Sequence, residues 1–432
     1  MAPCCTATVR PERDHTVRPD PCSPADPRFF HMTTPARPPL ALLIAMVTFG
    51  PVSIDIFLPS LPDMTRVFGT DVSHVQLTLS AFIAGFSLAQ LVLGPLSDRF
   101  GRRPVLLAGT GLYCAASLLC LCARSIETLI LARLLQAFGA CAGPVLSRAI
   151  IRDAFPKDQA ARTMAVMASI MTVAPAIAPI AGGGLHALFD WRANFIVMTL
   201  FGLMLWLGVW FRLTETNLRP DRHALRPDRM IVTYARLLRH RSFLRYTLSL
   251  AFTFAAMFSF ISGGSFVLIS VLGVAPGHFG FFFAMVVGGL LAGNLTTARM
   301  AHRVPPERMV AIGIGVGVAA SVPLAGLALF HVATVPAVIL PMIGLFLSAG
   351  LVFPNGTAAA IAPHGHVAGS ASALLGFLQM AIAATAGWLV GRLDNGTTLP
   401  MAAIIAAAAL ISALAFVLLR DRPIPAPPPE KS

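Results

Sequence analysis

Residues 94–104 read Gly94-Pro95-Leu96-Ser97-Asp98-Arg99-Phe100-Gly101-Arg102-Arg103-Pro104, one aspartate and three arginines set between two apolar stretches. Crossing a bilayer takes about 20 mostly apolar residues, and each flanking stretch supplies them. The string is too short to be a domain, so it reads as a tight, charged turn between two membrane spans. Short loops rich in Lys and Arg stay on the cytoplasmic side, which predicts the side on which this turn lies.

Composition extends that reading to the whole chain. The 432 residues are 56% hydrophobic and 12% charged, with a mean hydropathy of +0.76, whereas a soluble globule carries about a quarter charged residues. Twelve apolar stretches, centred near residues 50, 85, 114, 138, 172, 201, 258, 287, 318, 345, 378 and 409, predict an all-α polytopic membrane protein. The net charge of +13 does not point to nucleic acid, because Lys and Arg gather in the tails and in the loops after the second, fourth, sixth and eighth spans. Arg66, Arg124, Arg192 and Arg392 fall on the other side, and Arg133 alone is placed inside a span. With an even number of spans, the asymmetry places both termini in the cytoplasm and gives the basic loops anionic lipid as their partner.

Residues 1–39 are rich in Pro, Arg and Asp without an apolar period. They are expected to be a disordered basic tail and cannot serve as a signal peptide, which needs an apolar centre. Met32 lies just before the first span, and translation is expected to start there, leaving 1–31 as an extension. The longest polar interruption runs from Thr214 to Arg245 and splits six spans from six. It defines an N-terminal half (40–213), a cytoplasmic linker (214–245), a C-terminal half (246–419) and a C-terminal tail (420–432). Within the linker, Met230 to Arg245 reads as one basic amphipathic helix for the inner membrane surface. The halves echo each other, since Gly94 to Arg99 parallels Gly293-Asn-Leu-Thr-Thr297-Ala-Arg299. Paired six-helix halves with a substrate site between them near the midplane are a transporter layout.

Asp55, in Ser53-Ile-Asp55-Ile-Phe-Leu-Pro59-Ser-Leu-Pro62, is the one acid placed well inside a span. A carboxyl group in a membrane is costly and is expected to face a cavity or a partner. Burial favours the protonated form of a carboxyl and a nearby cation favours the ionised form, which suits a group that trades a proton for cargo. The alternative is a structural role near the outer helix end. Arg133 shares a helix face with Gln136 three residues on, and is read either as a coupling partner of Asp55, directly or through water, or as a clamp on carbonyls of the N-terminal half. Ala174-Pro175-Ala-Ile-Ala178-Pro179-Ile-Ala-Gly182-Gly183-Gly184 removes two backbone donors and lets another helix come close, so the fifth span is expected to bend and pack tightly. Trp191-Arg192 reads as an interfacial anchor. Gln90, Asn294, Asn355 and Gln379 are read as interhelical hydrogen bonds or as cavity groups, and Asp55, Arg133, Gln136, Asn355 and Gln379 form the candidate substrate-cavity set.

The histidines fall at loops and span ends, and there is no zinc spacing, P-loop, catalytic triad or dinucleotide fingerprint. Cys114, Cys120, Cys122 and Cys141 lie in or near apolar spans, where cysteine acts as a small hydrophobe, and Cys4, Cys5 and Cys22 belong to the tail. Neither catalysis, nor ATP-driven transport, nor any cofactor beyond a proton gradient is expected.

The loop from Gly94 to Pro104 resembles the signature between helices 2 and 3 of the major facilitator superfamily. Together with Asp55 and its Leu58-Pro59-x-Leu-Pro62, Arg133-Leu-Leu-Gln136-Ala-Phe-Gly139, Ser147-Arg148-Ala-Ile-Ile-Arg152-Asp153, the Pro/Gly segment, Phe260-Ile-Ser-Gly263 and Ser370 to Gln379, it is similar to the Bcr/CflA branch of drug:proton antiporters. The resemblance runs from about residue 40 to 420. It implies that Gly94, Asp98, Arg99, Gly101, Arg102 and Arg103 form a cytoplasmic gate, with Asp98 latching onto the start of the eleventh helix near Ser370. It implies that Pro175, Pro179, Gly182 and Gly183 form an antiporter motif, with Ala178 where glycine is usual. It also implies export of bicyclomycin-, chloramphenicol-, florfenicol- or sulfonamide-like drugs across a bacterial inner membrane by a monomer. The residues alone support a proton-linked or facilitative carrier, with export of a small metabolite such as an amino acid, or sugar uptake, as the alternative on the same fold.

Overall fold

The computed structural model describes residues 38–218, 220–221 and 227–420. The expectations for the N-terminal tail up to residue 37, for Met32, Cys4, Cys5 and Cys22, for Arg219, Arg222 and Arg226, and for the C-terminal tail from residue 421 lie outside the described residues. All regular structure among the described residues is helical.

Six membrane-length segments precede the linker. The first is broken: α1 (Leu40–Asp55) is followed by a 3₁₀ turn at Leu58–Ser60 and the short α2 (Leu61–Phe68). Pro59 and Pro62 cause the break, because each lacks a backbone donor. Then come α3 (Val72–Phe100), α4 (Arg102–Leu121), α5 (Ile126–Ala154), α6 (Lys157–Leu188) and α7 (Trp191–Arg212). The linker holds α8 (Pro227–Arg239). Six further segments follow: α9 (Arg241–Ser265), extended by a π-helical turn at Phe266–Val271, then α10 (Pro276–Met300), α11 (Pro306–Leu329), α12 (Val335–Ile361), α13 (Ala368–Arg392) and α14 (Leu399–Leu418). Among the described residues, twelve helical segments are long and apolar enough to cross a membrane.

The starts of these helices follow capping chemistry. Asp71 accepts from the His74 backbone N–H at 2.9 Å at the start of α3, and Ser125, Asp190 and Thr334 do the same for α5, α7 and α12. The first of these bonds, with those from the Ser73 hydroxyl and the His74 ring, holds the Asp71 carboxyl well below the usual range.

Met230 to Arg245 is not one helix. The chain breaks at His240, so α8 ends at Arg239 and Arg241 opens the next membrane segment. Arg245 is buried and lies in α9, where it donates to Glu307 at 2.9 Å and to the Phe416 carbonyl at 2.8 Å. The boundary placed at residue 246 therefore cuts the first turns of a helix.

Two helix pairs carry most of the contact between the segments before and after the linker: α3 against α13 and α6 against α10. Small residues permit it. A Cβ on Gly182 would collide with the backbone of Ile56, and one on Gly280 would lie 2.5 Å from the Ile180 Cα. The large apolar side chains left outside, such as Leu200, Met204, Phe211, Phe281 and Leu418, are highly exposed on the outer surface. In water such a surface would aggregate, whereas in a bilayer it is the solvated face.

Candidate functional site

Arg133, on α5, is fully buried among helices of the N-terminal set. Its Nη1 donates to the Ser53 carbonyl at 3.0 Å and to Gln136 Oε1 at 2.6 Å. Gln136 in turn donates to Ser117 Oγ at 2.7 Å, and the Ser53 hydroxyl meets the Tyr113 hydroxyl at 2.7 Å. The guanidinium carbon lies 4.4 Å from the Phe82 ring centre and 5.5 Å from that of Phe57. Its Nε and Nη2 are buried without a partner. An uncompensated buried charge costs several kcal/mol, so this arrangement leaves capacity for another acceptor.

Asp55 closes α1, two residues beyond the carbonyl that Arg133 holds, and is only 4% exposed. No hydrogen bond or ion pair reaches its carboxyl group among the described residues. The direct ion pair with Arg133 that the sequence suggested is absent here; instead, the backbone beside Asp55 is bound and both side chains keep unused valence.

At the end of the bundle that carries the basic loops, the turn after α3 is wired to the segment after α7. Asp98 pairs with Arg102 at 2.6 Å, and Arg102 also holds Asp153 at 3.0 Å and Ser97 Oγ at 2.6 Å. Glu215 accepts from the backbone N–H groups of Arg102 and Arg103 at 2.9 and 3.1 Å, capping α4 with negative charge. Gly101 sits between them with φ of 99°, where a Cβ would be strained and would run into the Glu215 carboxylate. Arg103 lies over Trp210 and donates to its carbonyl at 2.9 Å. Arg99 is exposed and packs on Phe100. A Cβ added at Gly94 would meet nothing within 4 Å outside its own helix turn.

A cavity of about 770 Å³ opens between α5, α6, α10 and α12 toward the same end. Across its wall Asn294 Nδ2 donates to Thr172 Oγ1 at 3.0 Å, which ties α10 to α6. Pro354 lines it; by removing a backbone donor this proline frees the Gly350 carbonyl, and the Thr297 hydroxyl takes up that carbonyl at 3.1 Å. Toward the opposite end the helices stay closed, with Gly183 against the Pro276 carbonyl and Gly391 against Gln76. A second groove of about 470 Å³ among α3, α4 and α5 has only apolar side chains and glycine on its wall and offers nothing to orient a solute.

The family model for the Major Facilitator Superfamily matches residues 41–387. The chain belongs to the Major Facilitator Superfamily. It is 33% identical over 380 residues to an uncharacterised MFS-type transporter, YdgK, of Bacillus subtilis, covering 87% of this chain and 94% of that one. A bicyclomycin resistance protein homologue of Haemophilus influenzae is 31% identical over 387 residues, covering 89% and 95%. The multidrug transporter MdfA of Edwardsiella ictaluri is 32% identical over 259 residues, 60% of this chain and 63% of its own. Among solved structures, a bacterial homologue of the human lysosomal transporter Spinster, in an inward-facing and unoccupied conformation, superimposes with a TM-score of 0.67 at 16% identity, covering 89% of this chain and 98% of that one. This superfamily member is a multi-pass transporter and not an enzyme.

The structure places several of these residues away from the cavity or the partners expected for them. Arg133 and Gln136 are sealed inside the N-terminal helices and do not line the cavity, because they bind each other and Ser117. Asp55 is likewise absent from the cavity wall. Asn355 donates to Thr297 and to the Leu351 carbonyl, an interhelical role, and half-buried Gln379 is not on the wall. Asp98 is paired with Arg102 rather than with the helix that carries Ser370, since the arginine four residues on lies within reach. Trp191 is buried against Phe68 and Phe195 and is no surface anchor. Pro175, Pro179, Gly182 and Gly183 lie on α6 where it meets α1 and α10. Arg133 is not alone as a cation within a membrane segment, because Arg148 and Arg245 also lie within the spans. Arg148 was legible only as part of a motif, and Glu215 carried no signal, since its role depends on a fold that returns the end of α7 to the start of α4.

Proposed function

We propose that this superfamily member is a proton-driven antiporter of a bacterial inner membrane that exports small, largely apolar drugs by alternating access. It works as a monomer with both termini, and hence the basic loops, in the cytoplasm. The observation that carries the reading is the buried, unpaired Asp55 beside an arginine that still has free donors. Such a carboxyl group holds a proton while it lacks a counter-charge and releases it when a donor swings to it, and either state changes how α1 packs on α5 and α6. The names of two relatives, a bicyclomycin resistance protein homologue and a multidrug transporter, support drugs as cargo. The cavity supports it as well, since its wall is mainly aliphatic and aromatic with few hydrogen-bonding groups, a poor match to a sugar.

In this reading the structure corresponds to the cytoplasm-open state. Drug enters between α6 and α10, and closure at the basic-loop end accompanies proton release on that side. The Asp98–Arg102 pair is then a resting pair of the open state, and Asp98 exchanges it for the α13 start on closure. The domain limits proposed are 40–213 and, moved to the observed helix start, 241–419.

Expression in a pump-deficient bacterium tests the function. Raised resistance to chloramphenicol- or bicyclomycin-like drugs, abolished by a protonophore, is the expected result. Resistance that survives the protonophore contradicts proton drive, and unchanged susceptibility across the panel contradicts drug export.

A further inference from the structure

Among the described residues, the cavity between α5, α6, α10 and α12 has one charged side chain on its wall, Arg148. This arginine lies on α5 within a membrane-length segment, yet its side chain is exposed, and the space it is exposed to is the cavity. It makes no hydrogen bond or ion pair with any described residue. Asp98, near the end of α3, and Asp153, near the end of α5, are both taken by Arg102. Among the described residues no carboxylate lines the cavity to offset the charge, and the remaining described wall is apolar apart from Thr172, Asn294 and Thr357.

A fixed cation with free donors in a concave, mostly apolar setting sets up a field that water screens poorly. Arginine presents a planar fork of donors, which suits a carboxylate, sulfonate, nitro group or carbonyl. Met171, Leu290 and Phe353 supply the surface for an apolar body. A volume of about 770 Å³ lies within the range that holds a drug-sized molecule.

We propose that Arg148 forms a selectivity subsite that admits amphiphiles whose polar end is anionic or accepts hydrogen bonds and rejects those whose polar end is cationic. The subsite deepens the export reading and rests on it for the cavity's role in transport. It separates polarity recognition, at Arg148 on the open side, from the Asp55 and Arg133 pair deeper in the N-terminal helices.

The test is binding, which does not depend on coupling. Three probes with one apolar body, 2-naphthalenesulfonate, 2-naphthamide and 2-naphthylmethylammonium, are titrated by calorimetry into the purified full chain in detergent. Wild type is expected to bind the sulfonate at least about tenfold more tightly than the ammonium, because two charges a few ångströms apart at a partly hydrated site interact by more than 1 kcal/mol. Arg148→Gln should bring the two within about threefold, and Arg148→Glu should reverse the order, on the same scale. The uncharged amide, whose carbonyl loses only one neutral acceptor contact, should weaken by no more than about threefold in either variant, which shows that the cavity is intact. An unchanged sulfonate preference in Arg148→Gln, or no preference in wild type while the amide still binds, overturns the subsite and leaves the export reading standing. Failure of wild type to bind any of the three overturns the cavity as the place of cargo recognition and, with it, the subsite.

Discussion

Asp55 ends a helix in apolar surroundings with no counter-charge, while Arg133, held to the carbonyl two residues before it, has two donors to spare. The proposed coupling uses that mismatch. Arg133→Lys keeps the charge but cannot hold Ser53 and Gln136 while leaving a second fork free, so drug-coupled proton movement should fall about tenfold or more, a loss of more than 1 kcal/mol of coupling. Preserved coupling in the lysine variant, measured as drug-induced proton release, would contradict the role of the fork. Gly101→Ala is expected to destabilise the protein by about 1–3 kcal/mol, the cost of a strained left-handed backbone, with an added collision at Glu215. A thermal-shift midpoint in detergent equal to wild type would show that the turn tolerates a side chain. Gly94 differs, because a Cβ there would meet nothing outside its own helix turn in this state; its replacement should leave the midpoint unchanged and impair transport through the closed state.

At the scale of elements, the α6 segment around Pro175 to Gly183 joins two functions that its sequence hinted at separately. Its prolines loosen the helix ladder, and Gly182 lets it touch the backbone of α1 next to Asp55. Pro179→Ala should therefore reduce exchange rate more than drug affinity, and unchanged exchange with weakened affinity would refute this. Gly182→Val should lower folded yield instead, since Ile56 leaves no room. The spans themselves were readable, because each holds a predominantly apolar stretch long enough to cross a bilayer, and the twelve expected centres fall within the twelve segments observed among the described residues. What could not be read was which polar residues face each other. Gln136 carried a polar signal, but only the fold reveals that Ser117 and Arg133 consume it. The break at His240 was hidden because the basic, amphipathic pattern of α8 runs without interruption into α9, and only the docking of Arg245 on Glu307 and Phe416 marks the second helix as part of the bundle.

For the whole molecule, the cavity opens at the basic-loop end while the opposite end is sealed by Gly183 against Pro276 and Gly391 against Gln76. Alternating access requires the reverse arrangement in another state, with Asp98 released from Arg102. Asp98→Ala should then abolish efflux without loss of insertion, as judged by drug accumulation in cells set against membrane expression. Normal efflux in that variant would remove the latch from the account. The central claim, that Asp55 carries the coupling proton, is tested most directly by Asp55→Asn, which keeps size and removes titration. The measurement is drug-induced proton release in detergent paired with gradient-driven drug uptake into inverted vesicles. The account predicts that the variant still binds drug but neither releases protons nor accumulates a neutral drug; proton release and accumulation at wild-type levels would place the proton carrier elsewhere and contradict the assignment.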